Sequence, residues 1–434
     1  MTQLPPTPQP RACEQPELLA EIAAKVGTPF YLYEAPVLRA AISDVRELTA
    51  HEGLQARYAM KANSARPVLD AIREAGIWID AVSANECHRA AEAGFARGHQ
   101  PPVILYTADV FRDGWREALD ELGVLPNLGS PGMVADLASI GYRGPVGLRL
   151  NPGFGHGHVN ACDTGGPSSK HGIWMEDLSE TLKHARRESL SITLLHAHVG
   201  SGPRQEELWE NLDRLAACMA SHVDLLPDLE AVSLGGGLPY DYRGHEPLQI
   251  APLKDLLERA QAALSKAAGR PLRVEIEPGR YYVAGCGSLV ARVTDLKETR
   301  TNEKGPGARF IMTDAGFTDL IRPAMYGSYH RIEIPARQGE PEEPMLVSGP
   351  LCESGDVFTQ EAGEIVAPRP LPVPRAGDLL VVRDAGAYGY TMASHYNSLG
   401  RAPQVWREAD GSCRLISRRE SWEDVLRAEC DEPL

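Results

Sequence analysis

The sequence lacks an apolar run long enough to cross a membrane, and its first twenty residues lack the apolar segment of a signal peptide. The eight cysteines contain no CxxC pair, and in a chain of 434 residues their even number does not indicate a disulfide framework, so we expect reduced thiols. Acidic residues outnumber basic ones, and the net charge of -15 argues against nucleic acid and anionic membranes as partners. We therefore expect a cytoplasmic protein.

The region from about residue 55 to residue 280 alternates short apolar runs with amphipathic stretches. Eight strands are predicted, at 56–60, 77–82, 103–106, 125–128, 146–150, 193–198, 231–234 and 273–276. Helices are predicted between them, among others at 84–93, 132–140, 177–187, 206–221 and 253–268. Eight βα units match a parallel (β/α)8 barrel of the TIM type. A doubly wound open sheet is the alternative, but the number and even spacing of the strands favour the barrel.

Residues beyond about 285 lose the helical periodicity and contain strand-like runs at 288–296, 309–313, 345–348 and 378–383. A hairpin is predicted over 404–417, with its turn at Asp410-Gly411. The polar segment 339–344 contains two prolines and is predicted to be a loop. We therefore expect three parts: an N-terminal segment (1–35) packed on the β domain, a barrel (36–285) and a C-terminal β-rich domain (286–434).

Lys61 directly follows the first predicted barrel strand, where TIM barrels carry their reactive groups. A lysine at a strand end suits a pocket, and burial there would ease the loss of charge that Schiff-base chemistry requires. The alternative for an isolated lysine is a solvated side chain in a βα turn. The interpretation therefore depends on what the other strand ends carry.

The other predicted strand ends carry polar residues and glycines. In chain order they are Asp80, His198, Ser201, Gly235, Gly236, Gly237, Glu277, Pro278, Gly279 and Arg280. Consecutive glycines let backbone N–H groups approach an anion, and Ser201 can add a donor. Glu277 can pair with a pyridinium nitrogen, and the flat ring of His198 can lie against a cofactor ring. A lysine, an anion cradle and a carboxylate together match the requirements of pyridoxal phosphate.

Each of these residues also has a plain structural interpretation. The glycines can form a flexible turn, Glu277 can be a salt-bridged carboxylate, and His198 can be a satisfied core residue. Further along the chain, Cys352 can be a small buried hydrophobic residue and Arg322 a structural ion-pair partner. The case for a cofactor site therefore rests on their occurrence at successive strand ends.

The loop 151–172 is rich in glycine and contains three histidines and Cys162, which suggests a metal site. The spacing matches no common zinc pattern, and glycine-rich loops over barrel mouths are often lids, so we expect no metal. The run Gly153-Phe154-Gly155 also lacks the third glycine of a dinucleotide fingerprint.

Several long motifs occur in order across nearly the whole chain: YAMKAN, NPGFGHGH, SSKHGIW, HVGSG, GGG, EPGR, DAGFTDLIRPAMYGSYH, GPLCESGD and GAYG followed by YN. With these motifs the chain resembles the diaminopimelate decarboxylases, of the alanine-racemase-like class (fold type III) of pyridoxal-phosphate enzymes. The resemblance implies a barrel with a β domain, pyridoxal 5'-phosphate as cofactor, and an obligate homodimer with shared active sites.

The resemblance also implies roles for individual residues. Lys61 would be the Schiff-base lysine, His198 would stack on the cofactor ring, and Glu277 would pair with its nitrogen. Further cofactor contacts are expected from Asp80, Ser201, Gly236, Gly237, Pro278, Gly279, Arg280 and Tyr388. Substrate contacts are expected from Arg280, Arg322, Tyr326, Glu353 and Tyr388, with Cys352 and Glu353 supplied by the partner subunit.

The implied reaction is decarboxylation of meso-2,6-diaminopimelate to L-lysine and CO2, through a Lys61 Schiff base and a quinonoid that Glu277 stabilises. Cys352 and Lys61 are both candidates for returning the proton to Cα. The run EPGRYYV is closer to ornithine decarboxylase, so another amino acid (ornithine, arginine or a conjugate) is the alternative substrate. An arginine plus an acid suits a substrate with both a carboxylate and an amine at its far end, as Arg322 and Glu353 would provide.

Two further alternatives are disfavoured. Racemases of this class place an arginine, not a glutamate, on the ring nitrogen, so Glu277 argues against a racemase. Small barrel relatives that only carry the cofactor lack the β domain and the CESGD segment, and both are present in this sequence.

Overall fold

The structure, a computed structural model, describes residues 11–155, 164–200, 204–244, 246–303 and 305–432. Two units are distinguished by their internal contacts. The barrel unit runs from Arg39 to Tyr282, and the β unit joins the residues up to Leu38 to those from Val283 onwards. No helix in the described ranges is both long and apolar enough to cross a membrane.

The chain begins with two helices and a strand: α1 (Pro16–Val26), β1 (Phe30–Glu34) and α2 (Ala35–Leu48). The barrel unit then adds β2 (Leu54–Ala59), β3 (Trp78–Ala81), β4 (Ile104–Ala108), β5 (Leu125–Leu128), β6 (Pro145–Asn151), β7 (Ile173–Trp174), β8 (Ser191–Ala197), β9 (Ala231–Ser233) and β10 (Arg273–Ile276). All pair in parallel, in the order β5-β4-β3-β2-β10-β9-β8-β6-β7, and β5 also pairs with β6. This last pairing closes an eight-stranded barrel, so the predicted TIM-type fold is confirmed.

Amphipathic helices follow the barrel strands. They are α3 (Arg66–Glu74), α4 (Ala84–Glu92), α5 (Trp115–Leu122), α6 (Gly132–Ser139), α7 (Leu178–Arg187), α8 (Gln205–Ala220) and α9 (Ile250–Ala268). In α3, Val68, Leu69 and Ile72 are buried while the charged residues face outwards, the apolar stripe expected of a helix that covers a barrel.

The barrel interior is built in layers because side chains on a strand alternate between its two faces. One layer is apolar and consists of Leu105, Leu125, Leu194 and Ala231. Two residues later on the same four strands, towards their C-terminal ends, stand Thr107, Asn127, His196 and Ser233, all buried. We call this second set the polar layer. A packed apolar floor thus supports a buried polar layer at the end of the barrel where active sites form.

A fully buried ion pair joins β2 to β10. Arg57 Nε lies 2.6 Å from a carboxylate oxygen of Glu275, and Arg273 donates to the other oxygen at 2.8 Å. Arg57 also donates to the carbonyl groups of Ile79 and Pro102, so its guanidinium is satisfied on several sides. Burial raises the pKa of the Glu275 carboxyl, but the two arginines outweigh it and lower the pKa. The carboxylate is therefore ionised inside the barrel.

We expect Glu275→Gln to destabilise the protein by about 3–5 kcal/mol, because it leaves buried arginine charge uncompensated. The measurement is the urea midpoint of the unfolding transition that involves the barrel. Glu21→Gln is the matched control, since its pair with Lys25 is exposed, and it should leave the midpoint unchanged. Equal midpoints for the two variants would contradict the expectation.

The β unit contains β11 (Gly287–Glu298), β12 (Arg309–Thr313), β13 (Ile332–Glu333), β14 (Glu342–Ser348), β15 (Gln360–Glu361), β16 (Ile365–Val366), β17 (Arg369–Pro372), β18 (Leu379–Val382), β19 (Gln404–Arg407) and β20 (Cys413–Ser417). Short helices accompany them, α11 (Arg322–Tyr326) and α12 (Trp422–Leu426), and α10 (Arg280–Val283) lies where the chain passes from the barrel unit to the β unit. The main sheet has the order β17-β14-β12-β11-β1-β19-β20, with β18 also paired to β11. The predicted β-rich region is confirmed, and β1 pairs inside its sheet.

Two local predictions in the β unit have different outcomes. The hairpin at 404–417 forms as predicted, since β19 and β20 pair antiparallel. The loop predicted at 339–344 is confirmed for 339–341 but wrong for 342–344, because β14 already begins at Glu342. Pro344 lies opposite Pro370, and β14 pairs with β12 only from Leu346 onwards. A proline is tolerated there because the other side of β14 needs no N–H at that point.

Candidate active site

Lys61 lies in a short 3-10 helix, Met60–Ala62, that begins where β2 ends. Tyr58 donates its hydroxyl to the carbonyl of Asn63 at 2.7 Å, and Asn63 Oδ1 accepts the N–H of Ala65 at 3.0 Å, so the turn is fixed from both sides. The Lys61 side chain is exposed, and the expectation that the strand end buries it is wrong. Its positive charge nevertheless lowers the pKa of both Asp80 and His198, two buried groups at the barrel mouth.

The segment after β10 packs closely against this lysine turn. The N–H of Ala59 donates to the carbonyl of Pro278 at 3.2 Å. A Cβ on Gly279 would lie 2.9 Å from the carbonyl oxygen of Ala59 and 3.3 Å from the Cβ of Ala62. Only glycine permits so close an approach, so the EPGR run holds its backbone beside the turn that carries Lys61.

Glu277 is buried at the C-terminal end of β10, and both its carboxylate oxygens are hydrogen-bonded. Ser233 Oγ lies 2.7 Å from Oε1, and His196 Nε2 lies 2.8 Å from Oε2. Burial raises the pKa of this carboxyl, but His196 and Ser233 outweigh it and hold the pKa below its usual range. Glu277 is therefore an ionised carboxylate inside the barrel mouth.

Asp80 is a second buried carboxyl group in the same region, but its environment differs. Its Oδ1 is buried and has no hydrogen-bond partner among the described residues. Burial and the nearby charge of Glu277 raise the pKa of Asp80, while Lys61 and a hydrogen bond to Thr107 act in the opposite direction. The two carboxyl groups are thus pushed towards different protonation states.

His198 follows β8 directly and accepts the backbone N–H of Gly236 at Nδ1, over 3.2 Å. Desolvation and the positive charges of Arg149 and Lys61 hold the pKa of His198 well below its usual value. A neutral ring agrees with Nδ1 as an acceptor. The Gly236 N–H is therefore used by His198, which the prediction of an anion donor at this position did not foresee.

The glycines after β9 are required by close packing. A Cβ on Gly236 would lie 2.5 Å from the carbonyl oxygen of Glu277, and one on Gly237 would lie 2.8 Å from that of Gly200. Gly237 also has φ +105°, which side-chain-bearing residues rarely adopt. The run therefore brings bare backbone to the rim between β8 and β10.

The remaining sequence predictions for the barrel concern Arg280, Ser201 and the glycine-rich loop. Arg280 Nη1 donates to the hydroxyl of Tyr242 at 3.0 Å. Ser201 and the central part of the glycine-rich loop, including Cys162, lie outside the described residues. At the end of that loop, His171 Nδ1 lies 2.5 Å from a carboxylate oxygen of Asp109.

Within the β unit, the structure brings Arg322 and Tyr388 together. Arg322 is buried, donates to Ser328 Oγ at 3.0 Å and lies 6.0 Å from the centre of the Tyr388 ring. Tyr388 has φ +57°, a left-handed conformation that is rare for so large a side chain. Tyr326, at the end of α11, is partly buried. A strained tyrosine against a buried arginine is an arrangement expected at a binding site.

Cys352 and Glu353 are both exposed on one loop of the β unit, so the interpretation of Cys352 as a buried hydrophobic residue is wrong. The Asp356 carboxylate accepts the backbone N–H groups of Leu351 and Phe317, at 2.9 and 2.7 Å. The side chain of Asn397 accepts the N–H of Cys352 at 3.2 Å. These bonds hold the loop in one conformation while its two reactive side chains remain accessible.

Comparisons with known proteins agree with this geometry. A family model described as the pyridoxal binding domain of pyridoxal-dependent decarboxylases matches residues 38–284. Diaminopimelate decarboxylase of Streptomyces coelicolor is 40% identical, over 97% of this chain and 96% of its own length. The chain belongs to the diaminopimelate decarboxylase family.

Solved structures of this family have the same fold. A crystal structure of a diaminopimelate decarboxylase has a TM-score of 0.86 and 38% identity, covering 95% of this chain and 96% of that one. The Helicobacter pylori enzyme, complexed with L-lysine, has a TM-score of 0.80 and 28% identity, covering 94% and 98% of the two chains.

The family is a pyridoxal-dependent one, and the residues at the barrel mouth fit pyridoxal 5'-phosphate. Glu277 is an ionised acceptor in a buried position, as a protonated ring nitrogen requires. Lys61 presents an accessible amine on the neighbouring strand end. A Cβ at Gly236 or Gly237 would collide with backbone, so the rim is shaped by bare peptide groups that can approach a phosphate.

The prediction from sequence missed two residues, His196 and Ser233, which are the hydrogen-bond partners of Glu277. Both belong to the polar layer, and a signal for them exists. His196 precedes His198 by two residues within the predicted strand 193–198, where alternation places both on one side. Ser233 precedes Gly235 by two residues in the same way at the end of β9.

Proposed function

We propose that this protein decarboxylates meso-2,6-diaminopimelate to L-lysine and CO2, using pyridoxal 5'-phosphate bound at the C-terminal end of the barrel. The observation that carries the proposal is the ionised Glu277, buried next to the strand end that presents Lys61. A carboxylate in this position favours a protonated ring nitrogen, which decarboxylation needs. The relatives' shared name supplies the substrate.

When bound, pyridoxal phosphate provides an electron sink for the pair of electrons that remains at Cα after CO2 leaves. Lys61 would hold the cofactor through Nζ, and Glu277 would supply the negative charge opposite its ring nitrogen. The neutral His198 ring offers a flat, uncharged surface beside Glu277. Ser201, Gly237 and the 277–280 segment would surround the phosphate. Either Lys61 Nζ or Cys352 Sγ would return a proton to Cα.

For substrate recognition we propose that Arg322 binds the distal carboxylate and Glu353 the distal amine, with Tyr326, Arg280 and Tyr388 as further contacts. A buried arginine offers the fixed fork of donors that a carboxylate needs. Glu353 is exposed and acidic, as recognition of an incoming ammonium group requires.

The test of the function is CO2 release from a panel of substrates: meso-diaminopimelate, L-lysine, ornithine and arginine. We expect kcat/KM for meso-diaminopimelate to exceed the others by at least about 10²-fold, because only this substrate carries both distal groups. Preference for ornithine or arginine would reject the proposed substrate while leaving the cofactor assignment intact.

We expect Glu353→Gln to lower kcat/KM for meso-diaminopimelate by about 10- to 100-fold, since it removes a charge-assisted hydrogen bond. The visible absorbance of the bound cofactor and the melting temperature should not change, because the side chain is exposed and outside the cofactor site. Glu298→Gln, on an exposed end of β11, is the matched control. An unchanged kcat/KM would remove Glu353 from the substrate site.

We also propose that the protein is a homodimer in which Cys352 and Glu353 complete the partner's active site. Their exposure in the single chain supports this, as does the exposure of the large side chains of Met325 and Tyr396 in the same unit. The free, unpaired thiols of the described cysteines support a cytoplasmic location.

Mixing two inactive variants tests the shared site. Lys61→Ala and Cys352→Ala, inactive or weak alone, should regain about a quarter of wild-type activity when unfolded and refolded together, because mixed dimers contain one intact site. Two Lys61 variants mixed in the same way are the control and should stay inactive. No recovery by the first mixture would place both residues in the same subunit's site.

A further inference from the structure

Glu277 and Asp80 are two buried carboxyl groups at the barrel mouth, and either of them could carry a negative charge there. Glu277 and Asp80 interact electrostatically, and the negative charge of Glu277 raises the pKa of Asp80. Glu277 directly follows the strand next to the one that presents Lys61, and it is the carboxyl group proposed to face the cofactor ring nitrogen. Which of the two carboxyl groups stays ionised depends on the hydrogen-bond donors around each of them.

The hydrogen bonds around Glu277 are arranged for donation. Ser233 Oγ accepts the N–H of Gly235 at 3.2 Å, which leaves its own proton to point at Glu277 Oε1. His196 Nε2 faces Glu277 Oε2, and an ionised carboxylate accepts only, so this nitrogen carries a proton. Glu277 therefore receives two donors, one on each oxygen.

Asp80 lacks this support. Within the described part of the chain its Oδ1 is buried without a partner, and the carboxyl group has a hydrogen bond with the side chain of Thr107. The backbone of β8 and β9 fixes the difference, because His196 and Ser233 stand two residues beyond Leu194 and Ala231 of the apolar layer. Both donors are hydrogen-bonded to Glu277.

We propose that His196 is a positioning residue which, together with Ser233, fixes the negative charge of this carboxyl pair on Glu277 rather than on Asp80. The inference rests on pyridoxal phosphate as the cofactor but not on the identity of the substrate. Nε2 of His196 is the atom that acts, and its buried Nδ1, which has no hydrogen-bond partner in the ranges the structure describes, takes no part.

The test is the protonation of the cofactor ring nitrogen, read from the 15N chemical shift in holoenzyme reconstituted with 15N-labelled pyridoxal phosphate. His196→Asn places its amide too far back to reach Glu277, while His196→Gln keeps an N–H donor near the position of Nε2. We expect the pKa of the ring nitrogen to fall by about one to two pH units in His196→Asn and to stay close to wild type in His196→Gln.

A second variant separates this role from a structural one. Asp80→Asn removes the competing carboxyl group, so Asp80→Asn combined with His196→Asn should recover much of the ring-nitrogen protonation that His196→Asn loses. A general packing defect would not be corrected in this way. Ser233→Ala, a small change, should also lower the pKa of the ring nitrogen. This variant tests the inference even if His196→Asn does not fold.

Kinetics provide an independent readout. His196→Asn should lower kcat while the KM for meso-diaminopimelate stays within about twofold, because the residue acts on the cofactor and not on the substrate. His51→Gln, an exposed histidine, is the control. A ring nitrogen that titrates alike in wild type, His196→Asn and Ser233→Ala would overturn the inference. Wild-type protein that binds no pyridoxal phosphate would overturn the cofactor assignment instead.

Discussion

Lys61→Ala will reduce CO2 release from meso-diaminopimelate by at least about 10⁴-fold, the scale seen when a covalent catalytic group is removed. The structure gives the reason in the turn that follows β2. Tyr58 and Asn63 lock this turn, and Gly279 lets the segment after Glu277 pack against it. The amine of Lys61 is thus held on a rigid element and is accessible to a carbonyl compound.

Two matched variants sharpen this prediction. Lys61→Arg keeps the positive charge but cannot form the covalent link, so it should be as inactive as Lys61→Ala. Lys183→Ala, on the exposed face of α7, should retain full activity. In both Lys61 variants the cofactor should be lost on dialysis, which absorbance will show. Activity of Lys61→Arg within about tenfold of wild type would mean that Lys61 supplies only charge.

The sequence was sufficient to predict the barrel and the residues at its strand ends. Alternation of strands and helices gave eight βα units, and the strand-end rule then brought Lys61, Asp80, His198 and Glu277 to one rim. These predictions depend on local periodicity and on a property shared by all TIM barrels. Neither requires the exact register of the strands.

The interactions between these residues could not be predicted in the same way. His196 and Glu277 are 81 residues apart and stand on strands that β9 separates, so their hydrogen bond depends on how the barrel closes. The exposure of Lys61 depends on a 3-10 turn of three residues that no periodicity signals. The left-handed backbone of Tyr388 is fixed by tertiary packing, because the residue type itself disfavours it.

Glu277→Gln is the variant that tests the central electrostatic claim, and we expect it to lower kcat by about 10²- to 10³-fold, the usual effect of losing one preorganised charge interaction. The amide has nearly the same size as the carboxylate, so the barrel mouth should stay packed. The Gln oxygen can still accept from Ser233. His196 can accept from the new NH2 group at Nε2 by moving its proton to Nδ1, which has no hydrogen-bond partner among the described residues.

Glu277→Asp distinguishes charge from position. It keeps the carboxylate but shortens the side chain by one methylene, so it should retain more activity than Glu277→Gln if the charge opposite the ring nitrogen matters most. The 15N signal of the bound cofactor should report an unprotonated ring nitrogen in Glu277→Gln and a largely protonated one in Glu277→Asp. Glu117→Gln, exposed on α5, is the control for loss of a carboxylate elsewhere in the barrel unit. Equal activity of wild type and Glu277→Gln would show that decarboxylation here does not depend on a charged partner for the ring.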